Sequence, residues 1–67
     1  MRSVIRICNI KTNEDINNIR EAVANNEGVI ACEININKQE VSVVYDDRSV
    51  SLDDIINSIE IKGYSVV

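Results

Sequence analysis

Residues 29–45 read Val-Ile-Ala-Cys-Glu-Ile-Asn-Ile-Asn-Lys-Gln-Glu-Val-Ser-Val-Val-Tyr, and this stretch decides the fold class. Its first half alternates, with one face carrying Ile30, Cys32, Ile34 and Ile36. Its second half alternates again, with Val41, Val43 and Tyr45 in phase. A period of two is typical of strands that bury one face. The short polar run at 37–40 between them predicts an antiparallel hairpin.

A helical pattern flanks the hairpin on each side. Residues 13–24 place apolar side chains at steps of three and four, namely Ile16, Ile19, Ala22 and Val23. Residues 52–61 do the same with Leu52, Ile55, Ile56 and Ile59. Gly28 follows the first segment and Lys62-Gly63 closes the second, as expected at helix ends. The sequence therefore predicts two amphipathic helices, each with one face to bury.

Outer strands complete the pattern at residues 2–8 and 64–67. Ile5 and Ile7 share one face of the first strand. The order β-α-β-β-α-β predicts an α+β fold, the ferredoxin-like sandwich, in which both helices cover one face of a four-stranded antiparallel sheet. We expect one domain over residues 1–67. The other sheet face should be open and carry Val4, Arg6, Cys8, Glu33, Asn35, Ser42 and Val44.

Composition excludes several classes of function. The chain has 67 residues, a net charge of −4, no His, Phe or Trp, and two tyrosines. Acidic charge without aromatic stacking platforms excludes nucleic acid as a partner. The absence of histidine and of a phosphate-cradling glycine run argues against an enzyme. No apolar run reaches membrane-spanning length, so direct membrane insertion is not expected and we predict a cytoplasmic protein.

The two cysteines, Cys8 and Cys32, fall on opposite strand faces. This placement argues against a disulfide between them. Cys32 lies in an apolar row, where a free cysteine behaves as a small hydrophobe. Cys8 lies on the open face near the end of the first strand, where it is a candidate for a metal-binding or redox-active thiol.

Both helices begin with a capping signature. Thr12-Asn13-Glu14-Asp15 precedes the first apolar stripe and Ser51-Leu52-Asp53-Asp54 opens the second. In such a box the hydroxyl accepts a bond from the amide three residues on, and the carboxylate returns one. Capping is therefore the structural role predicted for Thr12 and Asp15.

The ordered set of segments resembles the heavy-metal-associated domain family. The residues that carry the resemblance are Ile10 after the first strand, Glu27-Gly28-Val29, Val43-Val44-Tyr45-Asp46, and the run from Ser51-Leu52-Asp53-Asp54-Ile55-Ile56 to Lys62-Gly63-Tyr64. This family includes small copper chaperones and N-terminal modules of heavy-metal P-type ATPases. The resemblance implies a metal-transport context, and it covers nearly the whole chain.

The family loop usually reads Gly-Met-x-Cys-x-x-Cys, and its two thiolates suit Cu(I), which prefers soft sulfur. By length that loop falls on Asn9–Asp15, so Ile10 takes the place of the methionine and Thr12 and Asp15 take the places of the cysteines. The degenerate motif predicts a non-catalytic interaction or regulatory module with no cofactor and little or no Cu(I) binding. The expected docking surface consists of Ile10, Lys11, Thr12, Asn13, Glu14, Lys62, Gly63 and Tyr64.

Two alternatives remain open from the sequence. One is a metal-trafficking domain that binds a heavy-metal ion at an atypical site, through Cys8 or a partner's thiolates. The other is an ACT-like sensor of a small ligand, which shares the element order. The expected partner is a protein, for which a metal-transporting ATPase or a related domain is one candidate. A homodimer through the open sheet face is a further possibility.

Overall fold

The computed structural model describes all 67 residues and contains five helices and strands. They are β1 (Arg2–Arg6), α1 (Asn13–Ala24), β2 (Val29–Asn35), β3 (Glu40–Tyr45) and α2 (Leu52–Ile61). The three strands form an antiparallel sheet in the order β1-β3-β2. The predicted bounds of both helices and the predicted hairpin are confirmed. Neither α1, with 12 residues, nor α2, with 10, has the length and apolar character of a membrane-spanning helix.

The fourth strand of the predicted sheet is reduced to a single bridge. Val66 pairs with Ile7 in antiparallel sense, beside β1. The Cys8 amide donates to Ser65 O at 3.1 Å, and the Val67 amide donates to Arg6 O at 2.9 Å. The prediction of a four-stranded sheet was therefore wrong in its extent. Tyr64 is turned into the protein and bonded to helix α1, so only the residues after it lie along β1.

The core is almost entirely aliphatic. It contains no buried polar residue, and its members come from one face of the sheet, the connecting loops and both helix stripes: Ile5, Ile7, Ile10, Ile19, Ala22, Val23, Val41, Val43, Tyr45, Val50, Ile55, Ile59 and Tyr64. Burial of each large aliphatic side chain contributes about 1.5–3 kcal/mol. Both helices therefore lie on one face of the sheet, as predicted, and the loop residue Ile10 belongs to the core that they share.

A β-bulge at the start of β2 changes the predicted phase of that strand. Val29 pairs with Tyr45 but Ala31 pairs with Val44, so one residue is inserted between them. Ile30 is consequently 71% exposed, whereas Val29 packs against the core. The expectation that Ile30 continues the apolar row was wrong, because an inserted residue reverses the alternation at that point. From Cys32 onward the predicted phase holds.

The second face of the sheet is open. Val4 on it is 56% exposed. Arg6 forms an ion pair with Glu40 across β1 and β3, at 3.3 Å. A pocket of about 270 Å³ is lined by Arg2, Ala31, Cys32, Glu33, Ser42 and Val44. The mixture of charged, polar and small apolar side chains is that expected for a solvated face.

Candidate functional site

The capping box at the start of α1 forms as the sequence predicts. Thr12 is the N-cap, with φ −129° and ψ 167°, and its Oγ1 accepts from the Asp15 amide at 3.2 Å. Asp15 Oδ2 in turn accepts from the Thr12 amide at 3.1 Å and from the Lys11 amide at 2.9 Å. One carboxylate oxygen therefore binds two loop amides that the helix leaves without partners.

The second carboxylate oxygen of Asp15 binds a residue far away in the sequence. Tyr64 Oη donates to Asp15 Oδ1 at 2.7 Å, and Asn18 Nδ2 donates to the same phenol oxygen at 3.3 Å. Tyr64 is only 8% exposed. This bond joins the start of α1 to the C-terminal segment. Sequence reasoning missed it, because nothing local to either residue marks a partner 49 positions away.

These contacts favour the ionised form of Asp15. The bond from Tyr64 has the largest effect and, with the amides of Lys11 and Thr12, lowers the pKa of Asp15 below its ordinary value of 3.8. Burial raises the pKa of Tyr64 above 10.0, and the neighbouring Asp15 carboxylate acts in the same direction. The pair is thus a carboxylate accepting from a neutral phenol, a charge-assisted hydrogen bond.

The middle of the loop is fastened to the hairpin turn. Ile10 is 3% exposed, and both of its main-chain polar groups bind one side chain. Its amide donates to Gln39 Oε1 at 2.9 Å, and its carbonyl accepts from Gln39 Nε2 at 2.7 Å. Ile10 and Tyr64 were both predicted as docking residues, but at 3% and 8% exposure they are buried and lie beneath the surface rather than on it. Gln39 was missed, because a glutamine in a polar turn carries no sequence signal for such a contact.

The remaining predicted docking residues surround this framework. Lys11, Asn13, Glu14, Lys62 and Gly63 are exposed. Neither lysine takes part in an ion pair, because the only two in the protein are Arg6–Glu40 and Arg48–Asp46. The Ser65 amide donates to Asn9 Oδ1 at 3.1 Å. The loop 9–15 and the segment 62–65 therefore meet at one end of the domain.

The two cysteines differ in exposure and lie in different parts of the domain. Cys8 is exposed, directly before the loop, and Cys32 is partly buried against the core. Burial raises the pKa of the Cys32 thiol, and the positive charge of Arg20 acts in the opposite direction. No three side chains of the His, Cys, Asp or Glu type converge on a position where they could hold a metal ion.

The sequence profile of the Heavy-metal-associated domain matches residues 8–65. The chain belongs to this family. The family match spans the site just described and both helices. Among relatives of this heavy-metal-associated domain, the copper chaperone CopZ of Staphylococcus aureus (strain bovine RF122 / ET3-1) is 39% identical over 49 residues, which are 73% of this chain and 72% of that protein.

Solved structures agree with the family assignment. A CopZ metallochaperone superposes over the whole of both chains with a TM-score of 0.97 and 27% identity. A CsoZ metallochaperone reaches a TM-score of 0.90 with 30% identity, covering 100% of this chain and 96% of that one. A copper binding domain from a P-type ATPase, at 20% identity and a TM-score of 0.90 over 98% of this chain and 92% of that one, shares the fold. This heavy-metal-associated domain thus resembles both chaperones and ATPase modules.

Proposed function

We propose that this heavy-metal-associated domain is a non-catalytic docking module that meets a protein partner without carrying Cu(I) on its loop. The docking surface is the exposed part of the loop 9–15 together with Lys62 and Gly63, and the buried side chains of Ile10 and Tyr64 support it from within. The whole of residues 1–67 acts as one unit, working in the cytoplasm. The observation that carries this proposal is that the side-chain oxygens of Thr12 and Asp15 already accept hydrogen bonds from within the chain.

Those two side chains stand where the family resemblance expects the metal-binding cysteines. Thr12 Oγ1 accepts from the Asp15 amide, and both Asp15 oxygens accept bonds from within the chain. A hydroxyl and a carboxylate are hard oxygen donors, whereas Cu(I) is held by soft sulfur. A metal would also have to displace the bonds that cap α1. The donor set therefore does not fit Cu(I).

The same bonds suit a docking role. Three sets of contacts order the loop before any partner binds: the Asp15–Tyr64 bond, the capping box and the Gln39 bonds to Ile10. An interface that is already ordered before binding avoids the entropic cost of ordering it. Lys11 and Lys62 present two exposed charges outside any ion pair, which suits an acidic or mixed partner surface. A metal-transporting ATPase or a related domain is the partner that the relatives suggest.

An anaerobic Cu(I) titration tests the absence of loop binding. The reduced chain competes for Cu(I) against a chromophoric chelator, in parallel with a Cys8→Ser variant. We expect neither protein to withdraw Cu(I) from the chelator. Stoichiometric binding that survives Cys8→Ser combined with Cys32→Ala would overturn the proposal, since no thiol would remain and the loop would then bind metal through its oxygen donors.

A titration of the ¹⁵N-labelled chain with the copper binding domain of a P-type ATPase tests the docking surface. We expect shift changes concentrated in residues 9–15 and 62–64, and weaker binding for Lys11→Glu and Lys62→Glu. Arg48→Glu is the matched control, because Arg48 lies in the loop near Gly28, away from the start of α1. Shift changes confined to the open sheet face would instead place docking there.

A second candidate function follows from the position of Cys8. Its side chain is exposed one residue before the loop, and its main chain is fixed by the bond to Ser65. Such a thiol offers one ligand to a metal ion whose other ligands come from a partner's thiolates. Cu(I) binding that Cys8→Ser abolishes, with a stoichiometry of one metal per two chains, would support this metal-trafficking role. The family match leaves the ACT-like reading without a supporting observation.

A further inference from the structure

Gln39 has an unusual backbone for its residue type. It is the only residue other than glycine with positive φ, at 55°. L-residues with a side chain adopt this left-handed region uncommonly, and glycine is the residue that adopts it freely. A glutamine in this conformation points to a function for its side chain.

Both polar atoms of the Gln39 side chain form hydrogen bonds with main-chain groups. Oε1 accepts from the Ile10 amide at 2.9 Å, while Nε2 donates to Ile10 O and to Ile36 O, both at 2.7 Å. The main-chain carbonyl of Gln39 also accepts from the Ile7 amide at 2.9 Å. A strand partner would satisfy a residue such as Ile10 in the same way, through its amide and its carbonyl together.

No other group satisfies the main chain of Ile10. On the N-terminal side the loop is fastened through Asn9 and Ser65, and on the C-terminal side through the capping box. Between them the Gln39 amide supplies both bonds, and the buried Ile10 side chain needs this position to be fixed.

We propose that Gln39 is a positioning residue that holds the docking loop in a single conformation from the β2–β3 turn, with no metal required. The inference deepens the proposed function and rests on it, because the loop whose shape Gln39 fixes is the proposed docking surface. Changes in the turn 36–39 that break these bonds therefore alter recognition at the loop.

The variant Gln39→Gly separates this role from a purely conformational one. Glycine is the preferred residue at this φ, so the turn itself is retained. We expect the protection of the Ile10 amide against hydrogen exchange to fall by about tenfold or more, since its acceptor is gone. Unchanged protection of Ile10 would overturn the proposal. Lys38→Ala, an exposed neighbour whose side chain makes no hydrogen bond, is the control and should leave Ile10 protected.

A second measurement reads the site itself, with Cu(I) alone as the probe. Thr12→Cys with Asp15→Cys supplies two thiols, and the same pair combined with Gln39→Gly should bind Cu(I) about tenfold or more weakly if the loop is loosened. Equal affinities would overturn the positioning role. If the two-cysteine variant binds no Cu(I), the loop assignment in the proposed function fails, while the exchange of Ile10 still decides the role of Gln39.

Discussion

Asp15 joins the two structural features of the site, because one of its oxygens caps α1 and the other binds Tyr64. A carboxylate with three hydrogen-bond donors is stabilised in its ionised form. Its pKa is lowered on folding, so its stabilising contribution is fully present above its ordinary pKa of 3.8, which applies to the unfolded chain. That contribution is lost as the pH falls from there through the lower pKa of the folded state.

Tyr64→Phe is expected to raise the pKa of Asp15 toward its ordinary value. The phenol bond is the largest of the effects that lower it, and the phenylalanine ring retains the packing. A carbon-detected NMR titration of the Asp15 carboxyl measures the change directly. Tyr45→Phe is the matched control, since the Tyr45 hydroxyl interacts with Ser3 and not with Asp15. An unchanged pKa in Tyr64→Phe would show that this bond is absent in solution.

Substitution by alanine should lower the free energy of unfolding by different amounts at Gly28 and at Gly63. Gly28 and Gly63 both have positive φ, 102° and 96°, but a Cβ on Gly28 would meet Ser49 Cβ at 2.8 Å whereas one on Gly63 meets nothing within 4 Å. Gly63→Ala should cost about 1–2 kcal/mol for backbone strain alone. Gly28→Ala should cost about 1–3 kcal/mol more from overpacking. Urea denaturation of both variants compares them, and equal costs would contradict the close approach at Ser49.

Single residues also show where sequence reasoning succeeds and where it stops. The capping roles of Thr12 and Asp15 were predicted because a capping box is a local motif whose two residues lie three positions apart. The contacts of Tyr64 and Gln39 were not, because each depends on tertiary proximity between positions 49 and 29 apart. Such contacts follow from the fold and leave no periodic trace in the sequence.

Among the secondary-structure elements, β2 is the one in which the alternation of apolar residues predicted the wrong buried face at its start. Strict alternation places Ile30 with Ile34 in the buried row, but the bulge after Val29 turns Ile30 outward. Neither a glycine nor a proline marks the inserted residue. The helices gave no such difficulty, because a stripe of period 3.6 and a capping box agree on where each begins.

The bulge predicts that Ile30→Ala changes the free energy of unfolding by less than about 0.5 kcal/mol, as an exposed substitution does. Ile5→Ala is the matched comparison, with the same side chain in a strand at 3% exposure. It should cost about 2–5 kcal/mol, because it leaves a cavity in the core. Chemical denaturation of the two variants measures both values. A loss for Ile30→Ala as large as that for Ile5→Ala would mean that the alternation continues through β2 without a bulge.

The architecture of the domain was largely readable from its sequence, because each amphipathic element has one partner that can cover its apolar face. The fourth strand was overestimated, since burial and hydrogen bonding of Tyr64 decide where pairing with β1 starts. The fold is therefore specified by an aliphatic core that reaches into the loop through Ile10. Of the side chains in that core, only that of Tyr64 bonds to a residue at position 12 or 15, and the aliphatic members pack without either.

Because the aliphatic core packs without positions 12 and 15, we predict that Thr12→Cys with Asp15→Cys creates Cu(I) affinity while the fold is retained. The loss of the cap should cost about 1 kcal/mol, with a further loss from the Tyr64 bond, and the core residues are unchanged. Two thiolates at the start of α1 would offer Cu(I) the soft ligands it prefers, next to helix amides that favour the thiolate form. The affinity is measured against a chromophoric chelator in a Cys8→Ser background, with the two single cysteine variants as controls. Circular dichroism of the same samples shows whether the fold persists. A folded double variant that cannot compete for Cu(I) would mean that positions 12 and 15 are not the metal positions of the family loop.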